Sequence, residues 1–274
     1  MSSPANNLPV ELARLIFETT AVEHPECMPR LVLIAQCVKT WIEPLLYRAL
    51  YLSWREPQDP GSRFPPTVIY DLLGTKPASF FHDHVRHVCF RNYHPAELIA
   101  EVLYACDATV NLSFLDLMGG PILLPILGGL PLQRLSACLQ YLFHGEDGID
   151  FSHPLFAQIT HLDILDWDDR GWNRHDGYAG LARMPRLTHL SFSYNKEIPH
   201  GVCRGALEHC ELLQVLAIVR SSPGSEPPAN LSRDPRFVIV VVEDDLEDWK
   251  KGAHGEEDYW AVAEEMVMER WGMD

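Results

Sequence analysis

The sequence has no apolar run approaching the ~18 to 20 consecutive residues that a membrane-crossing helix needs, and its opening "MSSPANNLPVEL" lacks the basic and apolar regions of a signal peptide. Both absences lead us to expect a soluble protein of the cytoplasm or nucleus. No Cys-x-x-Cys pair occurs either. The seven cysteines (27, 37, 89, 106, 138, 203 and 210) are odd in number and scattered, which argues against a disulfide framework or a zinc finger and for small buried residues in a reducing compartment. Walker A, dinucleotide GxGxxG and HExxH patterns are missing, so those nucleotide and metalloprotease signatures lend no support to an enzyme. Positive charge is scarce: 22 Lys and Arg stand against 38 Asp and Glu, a formal net charge of -16. Residues 243–274 carry twelve acidic side chains against Lys250, Lys251 and Arg270. Such a chain is repelled by phosphate backbones and anionic lipid, so neither nucleic acid nor a membrane surface is an expected partner.

What the sequence does have is a core's worth of apolar residues, 47% of 274, arranged with a repeat. "FAQITHLDIL" (156–165), "MPRLTHLSFS" (184–193) and "CELLQVLAIV" (210–219) share one pattern, with matched triplets Ile159/Leu162/Ile164, Leu187/Leu190/Phe192 and Leu213/Leu216/Ile218. The same three-then-two spacing recurs at Val85/Val88/Phe90, Leu112/Leu115/Leu117, Leu132/Leu135/Ala137 and Phe237/Val240/Val242. Between them, "PAELIAEVLYAC" and "GVCRGALEHC" have helical spacing.

An LxxLxL core recurring with a period in the twenties resembles the leucine-rich repeats over roughly residues 80–245, which implies short parallel strands lining one face and helices the other. Only one segment carries the family's ladder asparagine, Asn195, so an irregular solenoid is expected. This register also disposes of the cluster "FHDHVRHVCF". Val85, Val88 and Phe90 point inward and His87 outward, so His82, His84 and His87 share no single face, and no metal is expected.

The outward positions predict ladders across a concave face: His87, Phe114, Arg134, His161, His189 and Val215 in one column, and Cys89, Asp116, Ser136, Asp163, Ser191 and Ala217 in the next. This mixture suits recognition of a polar protein segment. His161, Asp163, His189 and Ser191 together invite comparison with a hydrolase triad, but an open sheet face supplies neither a nucleophile elbow nor oxyanion donors. No catalytic residue and no cofactor is therefore assigned. The loop "DWDDRGWNRHDGY" (166–178), rich in Asp but without the Gly and terminal Glu spacing of a calcium loop, reads as an exposed recognition loop, with weak cation binding as the alternative. "EEDYWAVAEEMVMERW" (256–271) reads as a helix with Tyr259 or Trp260, Ala263, Val267 and Trp271 towards the body, closing the last repeat.

At the N-terminus, "LPVELARLIFETT" (8–20) is an amphipathic helix start, and apolar residues at helical spacing continue through 30–52, interrupted by Pro44. Leu8-Pro9, Glu11-Leu12 and Ile16-Phe17, with Val38, Trp41, Pro44, Leu46-Tyr47 and Leu50, are similar to the opening and closing motifs of an F-box. F-box helices followed by leucine-rich repeats are the arrangement of substrate receptors of cullin-RING ubiquitin ligases, of which fungi have many short, divergent members. The resemblance implies a Skp-type adaptor bound by Leu8, Pro9, Leu12, Ile16, Phe17 and Trp41, and a protein substrate on the repeats. "AVEHPECMP" (21–29) departs from the family's compact turn. A helical head that merely shields the first repeat fits the same apolar pattern, and an enzyme with an unrecognised site is the third reading.

The expected architecture is therefore α/β: an F-box-like helical head (1–52), a linker (53–79) by its Pro, Gly and charge content, an irregular leucine-rich-repeat-like solenoid (80–245) with a curved parallel sheet and convex helices, and an acidic C-terminal helical cap (246–274).

Overall fold

A computed structural model describes residues 8–53, 66–92, 94–115, 120–143, 148–165, 180–193, 200–223 and 229–272. The N-terminal part is helical: α1 (Val10–Glu23), α2 (Met28–Leu31) and α3 (Gln36–Leu46). The first strand, β1 (Ala49–Ser53), follows, then α4 (Pro66–Thr75), α5 (Ala78–His84), β2 (His87–Arg91), α6 (Ala96–Ala105) and β3 (Asn111–Leu115). Next come α7 (Leu124–Leu127), β4 (Arg134–Ala137), α8 (Leu139–Leu142), β5 (His161–Ile164) and β6 (His189–Ser193). The chain continues through α9 (His200–His209), β7 (Val215–Arg220), α10 (Ala229–Ser232) and β8 (Phe237–Val241), and ends in α11 (Asp245–His254) and α12 (Tyr259–Trp271).

Among the described residues, all eight strands pair in parallel and in chain order, β1 to β8, so each connection must return to the same end of the sheet. This is the expected α/β class and is consistent with a curved parallel sheet. One backbone device recurs at the strand entrances. Arg48 O accepts from the N–H groups of Arg86 and His87, Arg86 O from those of Val110 and Asn111, Val110 O from Gln133 and Arg134, Gln133 O from Thr160 and His161, and Thr160 O from Thr188 and His189. A single carbonyl with two lone pairs thus fixes the start of the next strand, which transmits the register along the sheet.

In that register Leu50, Val88, Leu112, Leu135, Leu162, Leu190, Leu216 and Phe237 form one ladder, all buried. They pack with Leu98, Ile99, Val102 and Leu103 of α6 and with Val202, Cys203 and Ala206 of α9 in one continuous core. We call this the helix-packed face. The other face, carrying Asn111, Arg134, His161 and His189, is the polar face.

Three expectations need correction. The strand Ala49–Ser53 stands where a helix of the head was expected: beyond Pro44 the chain alternates, with Leu50 and Leu52 in the core and Tyr51 opposite them, and it finds a parallel partner in β2. The segment read as linker (53–79) contains α4 and α5. In β3 and β8 the apolar frame slips by three residues. Leu112 and Phe114 lie opposite Val88 and Phe90, while Phe237 and Ile239 lie opposite Leu216 and Ile218. Runs such as "NLSFLDL" and "FVIVVVE" offer apolar residues in two phases, and only the neighbouring strand selects one.

Phe114 is consequently in the core, its ring stacked 5.7 Å from that of Phe90. Asn111 and Ser113 take the polar-face positions assigned to Phe114 and Asp116, and Asp116 lies outside the described residues. So do the loop 166–178 and Asn195.

The helical head has its own small core, Ala21, Met28, Val38 and Ile42, with Phe17 and Trp41 packed against it. It joins the body through a 2.6 Å ion pair between Lys76 and Glu43 and an edge-to-face contact of Tyr47 with Phe80, 5.2 Å between centroids.

Phe90 is fully buried beneath Phe114 and His94. Phe90→Ala is expected to lower unfolding free energy by about 3 to 5 kcal/mol in urea denaturation.

Candidate functional site beneath the C-terminal helices

The polar face is not open. From β8 at one edge of the sheet, the chain crosses to pack Leu246 and Trp249 of α11 against Tyr51, Cys89 and Leu115 at the β1–β3 end. It then returns as α12, whose Ala263 and Val267 pack on Val215, Ala217, Val219, Val238 and Val240 of β7 and β8. The expected cap over the last repeat is therefore a strap across the whole face. Trp260, Ala263 and Val267 face the body as expected; Trp271 is exposed. Val240 and Val242, expected in the main core, pack instead under α12.

Local chemistry fixes both helices of the strap. Asp244 accepts from the N–H groups of Leu246 and Glu247 and caps α11. Gly255, with φ +81, ends that helix in the left-handed conformation that glycine adopts without steric cost. Asp258 caps α12 through the N–H of Ala261 and accepts a 2.8 Å charged hydrogen bond from Arg134 Nη1 of β4. One carboxylate thus starts a helix and ties it to the sheet. Gly252 lies against this carboxylate so closely that a Cβ there would collide with it.

Behind this contact lies a second tie. Ser191 Oγ and Ser193 Oγ donate to Asp163 Oδ1 at 2.7 and 3.0 Å, and the Tyr259 hydroxyl, 3.0 Å from Ser191 Oγ, can donate to it in turn. Burial raises the Asp163 carboxyl to about 6, against the lowering effect of the two serine hydrogen bonds. Burial also drives Tyr259 well above its ordinary value. Asp248, which accepts the Tyr259 N–H, is raised to about 6, again mainly by desolvation.

The histidines shift the other way. Burial lowers His161 to about 2 and His189 to about 4, with Arg134 close to both, and lowers His87 to about 4. All three rings are neutral at physiological pH. His161 and His189, side by side on β5 and β6, stack with centroids 4.0 Å apart and planes 6° from parallel, and Trp260 meets both edge-on. Glu264 of α12 places Oε1 3.0 Å from His189 Nε2.

A crevice opens beside these groups between strap and sheet, with ≈ 570 Å³ of empty space counted out to open solvent. Ser113, Arg134, His161, Asp163, Asp248 and Trp249 are among its walls. Ser113 Oγ, Trp249 Nε1 and His161 Nε2 are buried there without a hydrogen-bonding partner among the described residues.

Of the partner-binding residues read from the sequence, Arg134, His161, Asp163, His189 and Ser191 are gathered on three adjacent strands, with His87 farther along on β2. They are buried or half-buried rather than displayed. The hydrolase comparison finds no support in the connectivity, because Ser191 donates to Asp163 while His189 Nδ1 is engaged by Thr188. Asn111, Ser113, Trp249, Asp258 and Glu264 were missed. The strap residues had no signal beyond the acidic, aromatic composition of their segment.

The adaptor residues divide into two groups. Leu8, Pro9, Leu12 and Ile16 are exposed on or beside α1. Phe17 and Trp41 are half-buried and face one another at 6.3 Å. Compared with known proteins, the chain matches no family model, and no curated protein is significantly similar to it.

Two outcomes follow from this geometry. Gly252→Ala should destabilise the fold by about 1 to 3 kcal/mol in urea denaturation, with Arg134→Gln adding little to it, since both disturb one contact. For Asp163, a folded-state pKa of about 6 lies above the ordinary 3.8, so the folded chain holds the proton more tightly and stability falls as pH rises from about 4 to about 6. The depressed histidines work oppositely, adding stability as pH rises towards 6.5. Urea denaturation of Asp163→Asn against wild type between pH 4 and 8 should therefore give a difference that grows in the variant's favour up to about pH 6 and is constant above it.

Proposed function

We propose that this protein is a non-catalytic interaction module, a substrate receptor of a Skp-cullin-F-box type ubiquitin ligase, with an F-box-like head and a leucine-rich-repeat-like solenoid body. The observation that carries the proposal is the exposed apolar stripe on the head. Leu8 (49% exposed), Leu12 (48%), Leu15 (59%) and Ile16 (54%) recur at the spacing of one helix face. A contiguous apolar patch rimmed by charge is a protein-docking signal. Leu8, Leu12 and Ile16 are among the positions that the F-box resemblance assigns to the adaptor, and Leu15 extends the stripe they form.

The alternative, a head that serves only to shield the first repeat, requires those side chains to be covered by the body. The head instead meets the body mainly through the far end of α3, at Glu43 and Tyr47, which favours the docking reading. The substrate does not meet the predicted ladder directly, because the strap lies over it. Substrate would reach the crevice walls at Arg134, Asp163 and Asp248, or the whole face once the strap is displaced.

Co-expression with a fungal Skp-type adaptor followed by size-exclusion chromatography tests the proposal. A stoichiometric complex is expected, lost in Leu8→Asp/Ile16→Asp. Because both positions are exposed, the variant's melting temperature should stay within about 2 °C of wild type. Failure of folded wild-type protein to form the complex would exclude the adaptor role.

A further inference from the structure

We propose that His161, His189 and Glu264 form a binding site for a divalent transition-metal ion, zinc above all, that fastens the C-terminal strap to the sheet. The proposal is independent of the adaptor reading. The parallel register of β5 and β6 puts the two histidines opposite each other, and α12 brings Glu264 over them, so that one ligand atom from each lies within 4.8 Å of the others.

The rings are held ready. His161 Nδ1 is 2.9 Å from Thr160 Oγ1 and His189 Nδ1 is 2.8 Å from Thr188 Oγ1. Each threonine hydroxyl also donates to a main-chain carbonyl of the preceding repeat, Gln133 O or Thr160 O. A hydroxyl has one proton, so with that proton on the carbonyl its oxygen accepts from Nδ1–H. This sets the tautomer in both rings and leaves both Nε2 atoms as bare lone pairs, the arrangement that orients metal-binding histidines through their second nitrogen.

Those lone pairs are the anomaly. Both Nε2 atoms are buried and neither has a hydrogen bond among the described residues. Glu264 Oε1 is 3.0 Å from His189 Nε2 at ion-pair distance, yet off the line a hydrogen bond requires. A carboxylate oxygen and an unprotonated ring nitrogen this close repel one another unless a cation lies between them. A second ligand of a shared metal stands in just such an off-axis position. In a tetrahedral zinc site with bonds of about 2.0 to 2.1 Å, ligand atoms are roughly 3.3 Å apart. The parallel rings aim their lone pairs side by side, so closing on one ion tilts them out of their stack about the threonine contacts.

The donor set chooses the ion. Two imidazoles and one carboxylate suit zinc and its transition-metal neighbours, whereas calcium and magnesium require shells dominated by oxygen. Asp258, paired to Arg134 nearby, offsets the positive charge of that side chain beside the site. Three protein ligands leave the fourth position to water or a partner's side chain.

The test uses full-length protein stripped with a chelator and titrated with zinc chloride against a chromogenic competitor, with cobalt(II) as a spectroscopic probe. One equivalent per chain is expected, together with the visible absorption of tetrahedral cobalt. Glu264→Gln, at a half-exposed position that keeps the fold, should weaken binding at least about 10-fold, and His161→Gln/His189→Gln more than about 100-fold. His82→Gln/His84→Gln, on α5, should have no effect. Zinc at 100 times its dissociation constant should slow hydrogen exchange and proteolysis in 245–271 by up to about 100-fold, and not in Glu264→Gln. Absence of stoichiometric binding would leave a proton as the shared cation and overturn the proposal. Binding that survives both sets of ligand substitutions, or that leaves the strap unprotected, would overturn it equally.

Discussion

The constraint on which the rest depends is the in-register stacking of parallel strands. Each strand from β2 to β7 begins where a carbonyl at the entrance of the preceding strand holds two N–H groups, so corresponding residues lie about 4.8 Å apart along the sheet. On one face this stacks leucines on leucines and builds a core without further instruction. On the other it does the same to polar residues, placing His161 beside His189 and Asp163 beside Ser191. Like groups forced together in this way need partners from elsewhere in the chain.

The strap supplies some of those partners. Its apolar residues cover β7 and β8, and its polar ones engage the middle of the sheet: Asp258 takes Arg134, Tyr259 meets Ser191, and Trp260 covers the histidine pair. A segment with twelve acidic residues against three basic ones would not be expected to fold onto Asp163. It does so by directing single carboxylates at defined donors, and the remaining strain appears as raised carboxyl and lowered imidazole pKa values. Groups disturbed in both directions in one crevice, mainly by desolvation, make it a candidate functional site.

The head and the strap divide the molecule's surfaces between them. The head leaves its apolar stripe uncovered, while the strap hides the face that would otherwise receive a partner. A ligand that needs the whole of that face would meet the free energy of opening the strap, as for any binding-competent state that is only partly populated.

Periodicity made much of the fold legible. Val88, Leu135, Leu162, Leu190 and Leu216 announce their strands by spacing alone, because a side chain's face follows from its parity in an extended chain. The polar column followed for the same reason at Arg134, His161, Asp163, His189 and Ser191. Where the local sequence is apolar in two phases, as around Phe114 and Phe237, parity is ambiguous and pairing with the neighbour decides. Nothing in the spacing of Asp258, Tyr259 and Glu264 says that they lie against residues 68 to 124 positions earlier, since a helix face carries no record of what it will cover. The sequence by itself determined where β2 and β4 to β7 run and which of their residues line each face. Only the tertiary structure decided that the polar face is closed, because that depends on where a C-terminal helix pair finds both an apolar surface and donors for its carboxylates.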